Sequence, residues 1–420
     1  MIDEIITHIA RRQFARAVAF REGETPNAEA GDGSRERLLY LHVPFCESLC
    51  PYCSFNRVIF EETICRRYFR ALRKEMSMYR ELGHDFSALY VGGGTPTVLM
   101  DELIETLELA RRDFSITQIS VETNPNHLTD DRLDMLASAG VNRLSAGVQS
   151  FDDGLLRDMG RYSKYGSGDA IAERLSNALG RFDTLNADMI FNFPGQTETM
   201  LERDLDIILE RGLDQVTWYP LMVSESTRRA VTRTLGEVKF SREKRFYDII
   251  LRRLLGRYDF SSAWCFSKKR SMIDEYIVEY NEYAGLGSGS IGYMRGRVYA
   301  NTFDIEKYIR QIEAGGLPLM ASRKFGTGDL VMYDFLMRLF GGNIDVRQLL
   351  DHYGPRGGAV LAAIAAPFFL AGSLRYRDGQ FLLTRRGRYH WVIMMREFFT
   401  AVNNFRDYCR GETGEKGERE

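Results

Sequence analysis

The fold is decided by residues 38–53, LLYLHVPFCESLCPYC, in which an apolar run, Leu38–Val43, leads directly into three cysteines. A short continuous apolar run of this kind is typical of a buried strand. The cysteines follow the spacing Cys46-x3-Cys50-x2-Cys53. Cysteine thiolates are the usual ligands of iron–sulfur clusters. Three of them this close together can hold three corners of a 4Fe–4S cluster and leave the fourth iron open to a small molecule.

A zinc site is the alternative for the same cysteines. Structural zinc takes four ligands, usually in two pairs, and the chain has no second pair, because Cys65, Cys265 and Cys409 lie far apart. His42 could supply a fourth ligand. The spacing and its neighbours favour the cluster, and six cysteines in so long a chain do not resemble a secreted disulfide framework.

Strand-like and helix-like segments alternate outward from this stretch as far as residue 260. The predicted strands are Leu38–Val43, Phe86–Val91, Gln118–Glu122, Arg143–Val148, Asp188–Phe193 and Gln215–Leu221. The predicted helices are Glu61–Leu82, Asp101–Arg112, Glu198–Arg211 and Ser241–Leu255. Such alternation indicates βαβ units and a parallel sheet. We therefore expect an α/β fold built on a partial (β/α)6-type barrel, with the functional site at the C-terminal ends of its strands.

The alternation predicts four regions. Residues 1–36 form an N-terminal helix, at 3–20, and a polar linker; 37–317 form the barrel with an extension; 318–410 form a smaller C-terminal helical, winged-helix-like domain that acts as a substrate lid; and 411–420 form a disordered tail. Within the third region, the turn signal Asp378-Gly379 predicts a hairpin.

The composition is that of an ordinary globular enzyme. The 420 residues are 44% hydrophobic and 27% charged, with a net charge of −2 that gives a nucleic-acid partner no electrostatic support. No apolar stretch reaches the roughly 18–20 residues that span a bilayer, and the first residues contain no secretory h-region. We expect a cytoplasmic protein, with peripheral contact at the inner membrane face.

Tyr40-Leu-His-Val-Pro-Phe-Cys46, followed by Cys50-Pro-Tyr-Cys53, resembles the signature of radical S-adenosylmethionine (SAM) enzymes related to oxygen-independent coproporphyrinogen III oxidase. The resemblance extends from residue 37 or so to the region of residue 315. It implies a 4Fe–4S cluster on Cys46, Cys50 and Cys53. It also implies that SAM is bound beside the cluster, with its aminoacyl group on Gly92-Gly-Gly-Thr-Pro-Thr97, where glycine lets a ligand approach the backbone closely.

The same resemblance implies two SAM molecules. The first would be held by positions matching Tyr40, Gly93, Glu122 and Ile291, and the second by positions matching Gly94, Thr95, Gln149, Arg161 and Asp188. Tyr52, between the second and third cysteines, is a further cofactor-binding candidate. The proton acceptor is unknown, and Tyr219 and Glu225, near the end of the sixth strand, are weak candidates.

Four activities share this scaffold. Coproporphyrinogen oxidases carry an extra cysteine just after the cluster motif, where this chain has Ser54 and Phe55. Haem chaperones, which are not enzymes, carry a histidine motif before the Gly-x-Gly stretch, and this chain has no histidine between His127 and His352. Ring opening of haem by a related enzyme stays open.

The fourth activity is class C radical SAM methylation, of the menaquinone C8-methyltransferase type. The stretch Cys46–Phe55 and the C-terminal stretch Arg396–Arg406 resemble that subgroup most, so the expected reaction transfers a methyl group from the second SAM to an sp2 carbon of an aromatic ring. The expected partners are a lipophilic quinone or another aromatic small molecule, and an electron donor such as flavodoxin or ferredoxin. Large apolar residues and arginines in the C-terminal region could form a surface for such a quinone at the bilayer.

Replacing Cys46, Cys50 or Cys53 with Ala should abolish cluster binding and SAM cleavage, because each change removes one thiolate ligand. Serine at Cys65, Cys265 or Cys409 should leave the iron content unchanged. Iron and sulfide analysis of the anaerobically reconstituted variants checks both expectations. Loss of the cluster in Cys265→Ser would show that the fourth iron is not open.

Overall fold

The computed structural model describes residues 3–4, 6–8, 10–11, 31, 37–269, 280 and 282–412. The first seven of these are helical, as predicted for 3–20. The remainder of that prediction, the linker apart from residue 31, and the tail from 413 onward lie outside the described residues.

One twelve-stranded sheet forms the body of the molecule, in the order β14-β13-β12-β11-β1-β4-β5-β6-β7-β8-β10-β9. Its strands are β1 Leu38–Val43, β4 Ala88–Gly93, β5 Gln118–Thr123, β6 Arg143–Gln149, β7 Thr184–Phe191, β8 Gln215–Pro220, β9 Asp259–Phe260, β10 Cys265–Ser267, β11 Tyr283–Leu286, β12 Ile291–Met294, β13 Arg297–Asn301 and β14 Leu319–Lys324. A two-stranded ladder pairs β2 Phe45–Cys46 with β3 Val58–Ile59.

The helices cover the sheet and then form a second unit. They are α1 Glu62–Glu81, α2 Met100–Asp113, α3 Asp130–Ser138, α4 Asp153–Asp158, α5 Tyr162–Tyr165, α6 Gly168–Ala178, α7 Glu198–Arg211, α8 Glu225–Thr234, α9 Glu243–Leu254, α10 Ile305–Glu313, α11 Thr327–Phe340, α12 Val346–Leu370 and α13 Arg385–Glu412. The last three pack with a small sheet of β15 Asn343–Asp345, β17 Gln380–Leu383 and β16 Leu374–Arg377.

Six strands, β1 and β4 to β8, run parallel to one another, and β11 runs parallel to β1 on the other side. The sequence favours this arrangement, because Leu38–Val43 is a continuous apolar run. All six of its residues are buried, as expected of a parallel strand covered on both faces. Beyond β8 and β11 the sheet continues with antiparallel strands and does not close on itself. The predicted partial barrel of an α/β fold, followed by a helical C-terminal unit, is confirmed.

The sheet extends further along the chain than the sequence pattern predicted. Strand β14 lies beyond residue 317 and pairs with β13, with Ala300 opposite Ala321. Its residues LMASRK are mostly half-buried, so the hydrophobic signal was weak at this edge of the sheet. The fifth of the six parallel strands, β7 Thr184–Phe191, also begins before the predicted Asp188. The division into four domains stays a prediction.

Helix α12 shows how the C-terminal unit turns. Gly354 has φ 64° inside the segment, a left-handed conformation that interrupts the helix. Pro355 follows at once, in a position that suits the start of a new helix.

Among the described residues, no helix is long and apolar enough to cross a membrane.

The C-terminal helix α13 is fastened to the barrel by buried charges. Arg396, 2% exposed, donates to Glu243 of α9 and lies 3.0 Å from Glu397, and its guanidinium stacks 3.9 Å from the centre of the Phe240 ring. Trp391 donates to the carbonyl of Leu336 at 2.9 Å. Removing one partner of the buried Arg396–Glu243 pair would leave the other charge uncompensated. The pair therefore holds α13 in a defined place over the barrel.

Glu75 of α1 is a buried carboxyl that holds the loop after β11. It accepts hydrogen bonds from the Gly287 amide at 2.8 Å, the Tyr308 hydroxyl at 2.6 Å and the Asn301 amide at 3.1 Å. Burial raises the pKa of Glu75 from 4.5 to about 7, against the lowering effect of these three donors. Its protonated form is therefore favoured in the folded protein.

Because the folded-state pKa lies above the unfolded one, the stability that Glu75 contributes should be complete below pH 4.5 and be lost as the pH rises through about 7. The shift corresponds to about 3 kcal/mol over that window. Glu75→Gln should remove this part of the pH dependence, measured by denaturant unfolding at several pH values. The exposed Glu108→Gln should keep the wild-type slope, and a Glu75→Gln slope equal to wild type would contradict the assignment.

Candidate functional site

One pocket lies at the C-terminal ends of the parallel strands and collects nearly all of the residues that the sequence singled out. Its lining includes Tyr40, Cys46, Cys50, Tyr52, Cys53, Gly93, Gly94, Thr95, Glu122, Gln149, Arg161, Asp188 and Tyr219. The carboxyl ends of parallel strands meet at one edge of the sheet, which is why residues so far apart in sequence converge.

The cysteine loop is closed at its base by the β2–β3 ladder, with Phe45 opposite Val58 and Cys46 opposite Ile59. The three cysteines are free thiols. Burial raises the pKa of Cys46 to about 11. Burial alone would also raise the pKa of Cys50, but the Arg161 guanidinium, 3.5 Å from its sulfur, outweighs that effect and lowers it. A cation thus already favours the thiolate form that iron requires.

His42 is not available as a fourth ligand. Its Nδ1 is 2.9 Å from the Tyr40 hydroxyl and its Nε2 is 2.8 Å from the Asn56 carbonyl, so both ring nitrogens are engaged within the core. Burial lowers the pKa of His42 to about 4, which keeps the ring neutral. The zinc alternative loses the one extra ligand that the local sequence offered.

The glycine-rich stretch after β4 packs directly against the cysteine loop. The amides of Gly94 and Thr95 donate to the carbonyls of Val43 and Phe45, each at 2.8 Å. Gly93 has φ 114°, and a Cβ there would lie 2.6 Å from the His42 ring. Side chains are therefore excluded, and backbone groups line the pocket where an aminoacyl moiety could approach.

Two carboxyl groups face this stretch. Glu122 accepts hydrogen bonds from the Tyr90 hydroxyl at 2.8 Å and the Gly93 amide at 3.1 Å. Asp188 accepts from Ser145 at 2.7 Å and Asn186 at 2.9 Å. Burial, and then the charge of Asp188, raise the pKa of Glu122 to about 7. Two mutually repelling carboxyls beside a pocket form a site that favours cationic ligands.

Arg161 joins the predicted second SAM site to the cysteine loop. Its guanidinium donates to the Gly147 carbonyl, to Asn124 at 3.4 Å and to the Tyr52 hydroxyl at 3.4 Å, while its buried Nε has no partner among the described residues.

Thr95, which accepts from Asn124 at 2.7 Å, points its hydroxyl at the Cys46 sulfur, 3.7 Å away.

Gln149 ends β6 with φ 74°, a left-handed conformation that is uncommon for a residue with a side chain. The ladder to β7 also shifts register between Gly147 and Gln149. Irregular backbone of this kind is concentrated at binding sites, where the surrounding fold maintains it. Its consequence here is that Gln149 lines the pocket.

Two predicted residues are not brought to the pocket. Ile291 begins β12 and is half-buried outside the lining, so its contact with SAM stays a prediction. Glu225 is exposed at the start of α8, where its amide donates to Asn404 at 2.9 Å. Of the two candidate proton acceptors, only Tyr219 lines the pocket, beside the Trp264 ring with centroids 5.3 Å apart.

The outer wall of the pocket comes from the C-terminal helix α13. No individual residue of this helix was predicted from the sequence as a site residue. Phe399, Asn403 and Arg406 line the pocket, and Arg406 donates to Asn403 at 2.9 Å while stacking over Phe55 of the cysteine loop. All three lie in the stretch Arg396–Arg406 that the sequence singles out, but their contact with the cysteine loop could not be predicted, because it joins residues separated by most of the chain. Asn124 was within reach, since it follows Glu122 in the Val-Glu-Thr-Asn-Pro stretch.

The residues present fit a 4Fe–4S cluster. No group of three or more His, Cys, Asp or Glu in the described part of the chain forms a ready cage for a single metal ion. A cubane needs no such cage, because each of its three thiolates binds a different iron. The thiols of Cys46, Cys50 and Cys53 line one pocket next to two guanidinium groups, Arg57 and Arg161, which suit an anionic thiolate cluster.

Comparisons with known proteins agree with this site. Residues 40–208 match the Radical SAM superfamily. The chain is 31% identical to the heme chaperone HemW of Lactococcus lactis over 285 residues, covering 64% of this chain and 73% of that protein. It is 29% identical to the anaerobilin synthase of Escherichia coli O157:H7 over 376 residues, covering 84% of this chain and 82% of that protein.

In structure, the chain resembles the coproporphyrinogen III oxidase HemN of Escherichia coli, with a TM-score of 0.74, 22% identity, and coverage of 92% of this chain and 93% of that one. That likeness shows the fold. With the cysteine site and the sequence relatives, it shows that the chain belongs to the radical SAM superfamily, in the group that includes HemW and the coproporphyrinogen-oxidase-like proteins. This membership implies a 4Fe–4S cluster and SAM. It does not support the predicted methyltransferase subtype.

Gly93→Ala should weaken SAM binding at least tenfold, because the new Cβ would clash with His42 and displace the glycine-rich stretch. Gly180→Ala is a matched control, since Gly180 also has a left-handed φ, 76°, but nothing lies within 4 Å of its Cβ position. Both variants should lose about 1–3 kcal/mol of stability from backbone strain. Calorimetric titration with SAM distinguishes them, and equal affinities would contradict the close approach at Gly93.

Proposed function

We propose that this protein is a radical SAM enzyme that uses two SAM molecules to modify an sp2 carbon of a planar conjugated ring. The observation that carries the proposal is a single pocket lined by the cluster cysteines, by residues of both predicted SAM sites and by an aromatic wall. When bound, the cluster and the two SAM molecules would supply one electron, a 5′-deoxyadenosyl radical and the transferred carbon.

The chain's own residues bind and orient these groups. Glu122 and the Gly93 backbone can receive the ammonium of the first SAM, and Asp188 can receive a hydroxyl or ammonium of the second. Arg161 has a spare N–H for a carboxylate. Phe399, Tyr219 and Trp264 give the pocket an apolar side that excludes water from the reacting carbon.

A tetrapyrrole is the first substrate class to test, because the similar proteins are a heme chaperone, an anaerobilin synthase and a coproporphyrinogen oxidase. Within that class, modification of the haem ring by an anaerobilin-synthase-like reaction is the best-supported choice. The chain lacks the cysteine that follows the cluster motif in coproporphyrinogen oxidases. It also lacks the histidine expected of a haem chaperone, so the non-enzymatic function is the weaker alternative.

The naphthoquinone ring of menaquinone, methylated at C8, is the second candidate. Three arginines line the pocket, and two of them, Arg57 and Arg161, are engaged with the cysteine loop. That leaves Arg406 as the cation of the outer wall, which suits a ring with few negative charges better than a coproporphyrinogen with four carboxylates. Tyr219 is the candidate proton acceptor within the pocket.

We further propose peripheral contact with an anionic membrane surface. A groove beside the C-terminal hairpin is lined by Arg252, Arg375, Arg385 and Arg388 together with leucines, and Leu370 nearby is 90% exposed. Such a surface suits anionic headgroups. Salt-sensitive sedimentation with anionic vesicles tests the contact. The proposed electron donor is a small redox protein such as flavodoxin or ferredoxin.

The deciding experiment incubates the reconstituted protein anaerobically with SAM and a reductant, and separately with haem, coproporphyrinogen III and a menaquinone. Mass analysis of the products distinguishes the candidates. An opened or methylated haem supports the first, and a quinone heavier by one methyl group, with release of S-adenosylhomocysteine, supports the second. Decarboxylated porphyrinogen indicates the oxidase, and tight haem binding without turnover indicates the chaperone.

Asp188→Ala should leave the iron content unchanged and reduce S-adenosylhomocysteine formation more than tenfold, while 5′-deoxyadenosine formation falls far less. The reason is that Asp188 belongs to the predicted second SAM site, whereas its effect on the first site is the repulsion that helps to raise the pKa of Glu122; removing that repulsion leaves Glu122 able to bind the ammonium of the first SAM. Chromatographic measurement of both products in one reaction checks this. A parallel fall in both products would contradict separate sites.

A further inference from the structure

Arg57 lies at the base of the cysteine loop and is not among the residues assigned to either SAM molecule. One of its terminal nitrogens donates to the carbonyls of Cys50 and Cys53, at 2.6 and 2.7 Å. The Cys53 amide donates in turn to the Cys50 carbonyl at 3.2 Å. The Arg57 side chain thus bridges the two ends of the turn between Cys50 and Cys53, the second and third cysteine ligands.

The backbone fixes where this side chain stands. Val58 donates to the Pro44 carbonyl at 2.7 Å, and Phe60 donates to the Cys46 carbonyl at 2.8 Å. Arg57 therefore sits next to a ladder that already contains the first ligand, Cys46. A single guanidinium is held in a fixed relation to all three cysteines.

No carboxylate in the described part of the chain forms an ion pair with Arg57, whose terminal nitrogen donates instead to main-chain carbonyls. It is half-buried and lines the pocket. Its Nε is also buried, without a hydrogen-bond partner among the described residues. A cation in such surroundings is screened less by water than a surface arginine would be.

We infer that Arg57 is a positioning residue for the cluster and sets its reduction potential. The hydrogen bonds to the two carbonyls hold the Cys50–Cys53 turn in the shape that binds iron. The positive charge stabilises the reduced cluster, because reduction adds one negative charge beside the guanidinium. Net charge and nearby hydrogen bonds are the terms through which proteins adjust cluster potentials.

Arg161 has a different place in the same site. It approaches the Cys50 sulfur and extends toward Asn124 and Gly147, on the side of the predicted second SAM. Arg57 contacts the main chain of two ligands and extends to none of these residues. The role inferred for Arg57 therefore does not depend on the substrate or on the number of SAM molecules.

The test compares Arg57→Gln and Arg57→Lys with the wild type. Iron and sulfide content is measured first, and the midpoint potential follows from a redox titration monitored by electron paramagnetic resonance, without SAM or substrate. Arg410→Gln is the matched control, because Arg410 donates to the carbonyl of Phe55, which lies outside the turn between Cys50 and Cys53, at 3.1 Å.

Arg57→Gln should shift the potential to more negative values. Arg57→Lys should stay near the wild-type potential with a lower iron content, since lysine keeps the charge but its nitrogen lies one bond short of the terminal nitrogen that donates to both carbonyls. Arg410→Gln should match the wild type in both measurements. A Gln variant with full iron and an unchanged potential overturns the inference. If Gln cannot hold a cluster, the Lys variant decides: a wild-type potential supports the role of the charge, and a potential far below it overturns that role.

Discussion

The site depends on the place where two consecutive parallel strands end side by side. The amides of Gly94 and Thr95 donate to the carbonyls of Val43 and Phe45, which brings the glycine-rich stretch against the cysteine loop. Only glycine allows this approach, because a Cβ on Gly94 would lie 2.7 Å from the Phe45 carbonyl oxygen. The cysteines that would hold the cluster and the glycine backbone that would hold the aminoacyl group of SAM are therefore neighbours before either group is bound.

Each of the next three strands, β5, β6 and β7, contributes one polar side chain to the same edge of the sheet. Glu122 is the last residue but one of β5, Gln149 ends β6 and Asp188 lies in β7, so charge and hydrogen-bonding capacity follow the order of the sheet. Burial, and then repulsion by Asp188, raise the pKa of Glu122. Arg161 and Arg57 stand on the cysteine side. The pocket thus has a cationic side toward the thiols and an anionic side away from them, which suits a ligand that carries both a carboxylate and positively charged groups.

How much of this could be read from the sequence depends on the distance over which each signal acts. The helix Glu198–Arg211 was predicted at its observed bounds, because its capping Thr197 and terminal Gly212 are local signals. The cysteines and the glycine-rich stretch were likewise visible in single short segments. By contrast, β14 pairs with β13 at a sheet edge where burial is incomplete, and Gln149 owes its position to a left-handed backbone that no residue type announces. The pairing of Arg406 with Phe55 is fixed by tertiary packing alone.

The C-terminal helix also gives the pocket an order of assembly. The barrel strands and the cysteine loop precede α13 in the chain, yet Phe399 and Asn403 form part of the wall around the thiols. Because α13 follows the barrel in the chain, this part of the wall is complete only when α13 docks through Arg396 and Glu243.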